Sequence, residues 1–256
     1  MALLELKTPS LRSENRNNPK PVIYLDLFLL PLFLSAIACL FALLYLVSDE
    51  ISPGDEASAP TFAENFSWFF DLNSENSAPA WYSTSLWLLA AFLALGAGAQ
   101  STERWNRNRW RSLAVVFAFM SLDESAGIHE RIGSVMVHWI KLTGFLYYVW
   151  VIYGFFIVIV LTMIYARFIL SLPRQVFLTF VLAAAVFLSG ALGVEMTGAA
   201  VESGQIDFPF GLDWRKAIAL EELAEMIGVV ILIFGLLLFL KENGSNSGFR
   251  CEVTLM

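Results

Sequence analysis

The stretch "FMSLDESAGIHERIG", Phe119–Gly133, decides how this chain folds. It continues "RSLAVVFA" without a break, inside an apolar segment, yet it carries Asp123, Glu124, His129, Glu130 and Arg131. A charged group in hydrocarbon costs at least ~2.5 kcal/mol unless it faces a partner or water. Either the segment lies outside a membrane, or the bundle around it has a polar interior. The flanking sequence favours the second.

Apolar runs on both sides reach the ~20 residues that cross a bilayer. The 256-residue chain is 57% hydrophobic, with a mean hydropathy of +0.65 and 15% charged residues. Soluble domains are seldom so apolar. The expected fold is all-α, a polytopic integral membrane helical bundle of about six transmembrane helices. The expected spans are about 22–47, 81–100, 112–138, 145–170, 175–201 and 215–240. They form a transmembrane domain, 22–240, between an N-terminal arm, 1–21, and a tail, 241–256. The first run is too long for a signal-peptide core and reads as a retained helix. The 112–138 segment has the shortest uninterrupted apolar part, which leaves open a five-span chain with that segment re-entrant.

Charge asymmetry orients the bundle. With six spans, one side collects Lys7, Arg12, Arg16, Lys20, Arg104, Arg107, Arg109, Arg111, Arg167, Arg174, Lys241 and Arg250. The other side holds only Arg131, Lys141, Arg215 and Lys216, along with the acidic loop 48–80, which has no Lys or Arg. Both termini are therefore expected in the cytoplasm, in a plasma (inner) membrane, with that loop outside. Its "FSWFF", 66–70, is compatible with a short interfacial helix. The bilayer is the first expected partner; a second copy or a membrane-complex subunit is the protein partner such polar helices would suit. A net charge of −7 argues against nucleic acid. Cys39 and Cys251 make neither a disulfide framework nor a zinc set.

Helical rise places the ionisable groups at overlapping depths. Asp123 and Glu124 fall ~17 Å into the third span, with His129 and Glu130 in its outer third. "SGALGVEMTGAAVE" brings Glu195 and Glu202 to the outer end of the fifth span, on one stripe. "ALEELAEMIG" puts Glu221, Glu222 and Glu225 on one arc of the sixth. Ser189, Gly190, Gly193 and Gly198 permit close helix approach. The third, fifth and sixth spans are thus expected to be mutual neighbours, with Asp123, Glu124, His129, Glu195, Glu221, Glu222 and Glu225 facing a buried common chamber. Glu130 and Arg131 read as an interfacial ion pair at a helix end. Glu202, Asp207 and Asp213 read as a solvated face, and His138, Trp139, Trp81 and Trp214 as interfacial anchors.

Carboxylates with one imidazole suit protons or a hard or borderline divalent cation, Ca²⁺, Mn²⁺, Mg²⁺ or Fe²⁺. Glu124, His129, Glu195, Glu221 and Glu225 are the expected metal ligands. "SAGIH", Ser125–His129, resembles the Ser-x-x-x-His element of the alkaline ceramidase and adiponectin-receptor superfamily. Where that family completes its zinc site with His-x-x-x-His, this chain has Glu221 and Glu225. The pair Glu221–Glu222 resembles the motif of CAAX-type intramembrane proteases, with Met226 standing where that motif has Arg. Each resemblance spans a handful of residues and carries no activity across. Three function classes remain. They are cation- or proton-coupled transport, which is favoured; a metal-dependent membrane enzyme acting on a lipid or other apolar substrate; and a non-catalytic subunit of a membrane complex. Hydrogen bonding between protonated acids of neighbouring helices is the purely structural reading.

Overall fold

The structure, a computed structural model, describes residues 29–51 and 62–243. The N-terminal arm, part of the outer loop and the tail from 244, with Lys7, Arg12, Arg16, Lys20 and Arg250, lie outside the described residues. Among the described residues there is no strand. The helices are α1 (Leu29–Ile51), α2 (Phe62–Phe69), α3 (Ala78–Gln100), α4 (Arg104–Ala126), α5 (Ile128–Met136), α6 (Trp150–Leu170), α7 (Arg174–Leu188), α8 (Glu195–Glu202) and α9 (Trp214–Asn243). A π-helical segment, Ser189–Val194, joins α7 to α8 without a break.

Five of these runs are long and apolar enough to cross a membrane: Leu29–Ser48, Ala78–Gln100, Trp150–Leu170, Arg174–Glu202 and Trp214–Asn243. They correspond to the first, second, fourth, fifth and sixth expected spans. The surface supports the same reading. Leu32, Phe33, Leu40 and Leu43 of α1, Phe92 of α3, and Phe156, Ile159 and Met163 of α6 are all exposed, which a soluble fold rarely permits in such continuity. α6 buries only Val151 near one end and Tyr165 and Phe168 near the other.

The expected third span, 112–138, is not one helix. It starts eight residues earlier, at Arg104, and breaks at Gly127, which adopts a left-handed conformation (φ 51°) and donates its N–H to the Asp123 carbonyl at 2.8 Å. A left-handed C-terminal residue ends a helix and releases the chain in a new direction. Helical angles therefore do not carry across that point from Asp123 and Glu124 to His129 and Glu130. The neighbour relation differs as well. α4 packs chiefly on α3 as a tight helical hairpin, in which Gly98 leaves room for Trp110, whose Cβ would lie 3.2 Å from an added methyl. α9 takes the centre, packed against α7, α3, α1 and the π segment.

Two devices hold this arrangement. At one end, the fully buried Trp110 of α4 meets Phe168 of α6 (5.0 Å), Phe180 of α7 (6.1 Å) and Phe239 of α9 (4.6 Å), so one indole ties four helices. Along the middle, glycines let backbones touch. A Cβ on Gly228 would lie 2.7 Å from the Phe187 backbone nitrogen, and one on Gly190 would lie 2.6 Å from the Glu221 carbonyl oxygen. Lipid supplies no hydrophobic drive for helix association, so such close packing has to provide it.

Gly228→Ala is therefore expected to destabilise the protein by about 1–3 kcal/mol, the cost of overpacking against rigid backbone. Gly193→Ala, with nothing within 4 Å of the added Cβ, is the matched control with little expected effect. Equilibrium unfolding in mixed micelles measures both; equal stability of the two variants would overturn the close-packing account.

Candidate functional site

The break at Gly127 builds one side of the site. Helix starts leave backbone N–H groups without intrahelical partners, and Asp123, at the end of α4, reaches across to the start of α5. Its Oδ1 accepts the His129 backbone N–H at 2.9 Å and its Oδ2 lies 2.9 Å from His129 Nδ1. The Tyr153 hydroxyl of α6 donates to the His129 carbonyl oxygen. With Nδ1–H held by a carboxylate, Nε2 is the nitrogen of the neutral ring left to exchange a proton. Glu75, from the loop between α2 and α3, lies directly over Gly127, where any Cβ would collide with its carboxylate, 1.5 Å from Oε1.

The imidazole continues into a second set of contacts. Its ring packs edge-on against Trp150 at 4.8 Å between centroids. The Trp150 indole N–H donates to Glu195 Oε1 at 2.8 Å. Glu195 is the first residue of α8, immediately after the π segment. A π-turn carries one extra residue and rotates everything after it, a distortion frequent at functional sites. The charge of Glu195 bears on Glu221 of α9. Glu225, one turn further along α9, runs past Gly190, with its Cγ 3.1 Å from where a Cβ would be.

Glu124 lies close to Ser83 of α3. The charges that bear on Glu222 come from Glu124, Glu130, Glu195 and Asp71. Those on Glu225 come from Glu222, Glu124, Glu221 and Glu195. All seven expected residues thus gather at one end of the bundle, supplied by α4, α5, α8 and α9. They do so less tightly than expected: each is half-buried, not buried. Among the described residues, no group of three or more His, Cys, Asp or Glu converges to hold a metal ion. The divalent cation expected on Glu124, His129, Glu195, Glu221 and Glu225 has no ligand set in this conformation.

Other expectations sort plainly. Arg131 pairs with Glu75 at 4.0 Å, which corrects its assignment to Glu130. Asp213 is exposed as expected and caps α9, accepting the Lys216 N–H at 2.9 Å and facing its Nζ at 2.6 Å. Hydrogen bonds to Lys216 hold its carboxyl below the usual carboxylate range. Glu202 is exposed as expected, and it accepts a hydrogen bond from the Tyr148 hydroxyl. Trp81 and Trp139 are well exposed, as interfacial anchors would be.

Trp150, Tyr153, Ser83 and Glu75 were not singled out from sequence. Trp150 and Tyr153 open α6 at the depth of His129, so depth alone would have nominated them. Glu75 sits in an acidic loop whose composition says only that it is solvated. On the same face of α3 as Ser83, one turn along, Trp87 keeps a buried indole N–H with no hydrogen-bond partner among the described residues.

The described residues form an all-helical protein with five apolar helices long enough to cross a membrane. The chain belongs to the family defined by a domain of unknown function, DUF8692, whose profile matches residues 27–240. No curated protein and no solved structure matches it.

The Asp123 bridge predicts a graded response. Asp123→Ala removes both acceptors and is expected to cost about 1 kcal/mol, as loss of a helix cap does. Asp123→Asn keeps one acceptor oxygen for the His129 N–H and is expected to cost clearly less. Equal losses in equilibrium unfolding would mean that the cap is not what holds α5.

Proposed function

We propose that this is a multi-pass membrane protein whose chamber binds and releases protons, coupling them to movement of a cation or other solute across the membrane. The observation that carries the reading is the placement of Glu195, held by the Trp150 indole beside His129, where its charge bears on Glu221 of the central helix. Neighbouring carboxylates repel each other, so such a pair takes up a proton more readily than an isolated acid. That pair sits between a π-distorted helix and the central helix, and through Trp150 it adjoins His129. Ionisable groups placed inside a bundle commonly mark ion or proton pathways. The imidazole, with Nδ1 fixed by Asp123 and Nε2 left for exchange, is the group suited to pass protons between the chamber and its mouth.

We also read α4 as a sixth span. Its 23 residues extend ~34 Å, enough for a bilayer core of ~30 Å. Its arginines occupy one end and its acids the other, with apolar residues between. The described bundle then presents Arg104, Arg107, Arg109, Arg111, Arg167, Arg174 and Lys241 at one face, and Arg131, Lys141, Arg215 and Lys216 at the other. This favours cytoplasmic termini and a plasma-membrane location by the positive-inside rule.

Single cysteines at Asn106 and Thr143, on a background with Cys39 and Cys251 replaced by serine, should label from opposite sides of intact vesicles. Labelling from the same side would remove α4 from the membrane. For the chemistry, purified protein should take up protons between alkaline and mildly acidic pH, with about one proton fewer in Glu221→Gln, whose amide does not titrate. Proton-coupled flux in proteoliposomes should fall at least about tenfold in the same variant, since a relay missing one exchanging group is interrupted. Unchanged proton uptake would defeat the proton-binding reading, and normal uptake with unchanged flux would defeat the coupling.

A further inference from the structure

A second concentration of charge lies at the opposite end of the bundle and takes no part in the chamber. Arg104, Arg107, Arg109 and Arg111 lie in the first turns of α4, Arg167 in the last turn of α6 and Arg174 at the start of α7. The guanidinium carbons of Arg109 and Arg167 lie 5.6 and 5.9 Å from the centroid of the same Trp105 indole. Arg109 is also 6.0 Å from the Tyr165 ring. Trp105 packs edge-on against Phe168 at 5.8 Å and stays 41% exposed.

An aromatic face attracts one cation; it does not explain two cations on one ring, which repel each other. Among the described residues, none of these six arginines has an ion pair. The adjacent acid, Glu103, is engaged by the side chain of Asn106 at 3.2 Å. Glu103 also makes no side-chain cap for α4, so the positive end of that helix dipole adds to the same field. Converging guanidiniums with no counter-charge among the described residues are arranged for an anion.

We propose that Arg109 and Arg167, with Trp105 between the helices that carry them, bind the phosphate of an anionic phospholipid headgroup. Guanidinium forks match phosphate oxygens in pairs, and tryptophan favours the headgroup layer. A lipid is preferred over free phosphate because exposed apolar side chains adjoin the arginines: Met163 and Ile164 one turn inward on α6, and Leu170 beside Arg167. Those are surfaces for acyl chains. The inference rests on the bundle lying in a bilayer and is independent of the chemistry of the acid chamber.

The test uses full-length protein in nanodiscs of equal phosphatidylglycerol and phosphatidylcholine, followed by mild delipidation and mass spectrometry of the retained lipid. Wild type should retain phosphatidylglycerol preferentially. Arg109→Gln/Arg167→Gln should lower the retained ratio about tenfold, while Arg104→Gln/Arg174→Gln, with the same charge change, should leave it within about twofold. Arg109→Lys/Arg167→Lys preserves the charge but not the planar fork and should also reduce the preference, which covers failure of the glutamine pair to fold. Glu195→Gln/Glu221→Gln should leave lipid retention unchanged, so failure of the chamber reading and failure of this one are separately visible. No preference in wild type, equal loss in both glutamine pairs, or full retention in the lysine pair overturns the site. Displacement of the retained lipid by millimolar inorganic phosphate overturns the lipid assignment in favour of a soluble anion.

Discussion

The close approach of α9 to α7 and the π segment is the constraint on which the rest of the structure depends. Gly190 and Gly228 let two backbones come nearer than any Cβ allows. For helices that lie in lipid, a solvent as apolar as the side chains themselves, that proximity is where association energy is found. It also decides where the acids go. Glu221 and Glu225 lie on the same face of α9 as Gly228 and are therefore turned towards the π segment. The extra residue in that segment then sets the rotation of Glu195 to meet them. The polar chamber follows from apolar packing, and the glycines position the carboxyls more firmly than any polar contact does.

The second constraint is the break at Gly127. A continuous helix through 112–138 would have sent His129 along the axis of α4. The left-handed glycine instead folds α5 back so that one carboxylate, Asp123, serves both as cap and as partner of the imidazole. Glu75 covers the glycine from outside, and Arg131 of α5 holds Glu75. Structural and chemical roles coincide at Asp123, whereas they separate at His129, whose backbone is fixed by Tyr153 while its ring faces Trp150.

Much of this was legible in the sequence, because bilayer thickness imposes a length that composition reveals directly. The runs of α1, α3, α6, α7–α8 and α9 each carry enough apolar residues to be found by that rule. α4 resists it, since Arg104 to Arg111 and Asp123 to Glu124 leave only a short apolar middle. Its start at Arg104 was missed because arginine favours helix but does not look like membrane. Gly127 was overlooked for a different reason: a single glycine in "ESAGIHE" is compatible with both a continuing helix and a stop, and only the Asp123 side chain settles which. That the seven expected residues lie towards one end of the bundle could be read because depth is one-dimensional and rise per residue is fixed. Their pairing could not, because it depends on a π-turn and on α3 lying between α4 and α9. Neither leaves a mark in residue spacing.

The polarity of α4 also explains how the bundle tolerates it. Its two charged ends are kept in different surroundings: carboxyls against Ser83, His129 and the chamber, arginines around the Trp105 ring at the far face. Between them Trp110, Leu113, Ala114 and Phe117 are buried, with Trp110 wedged among three other helices. On the proposal that α4 spans a bilayer, a helix with charge at both ends and an aromatic lock near one of them cannot slide along the bundle axis without pulling either arginines or acids into hydrocarbon. α4 is thereby held in register by electrostatics at its ends as well as by packing along its length. The position of Asp123, and with it that of His129, is inherited from that register.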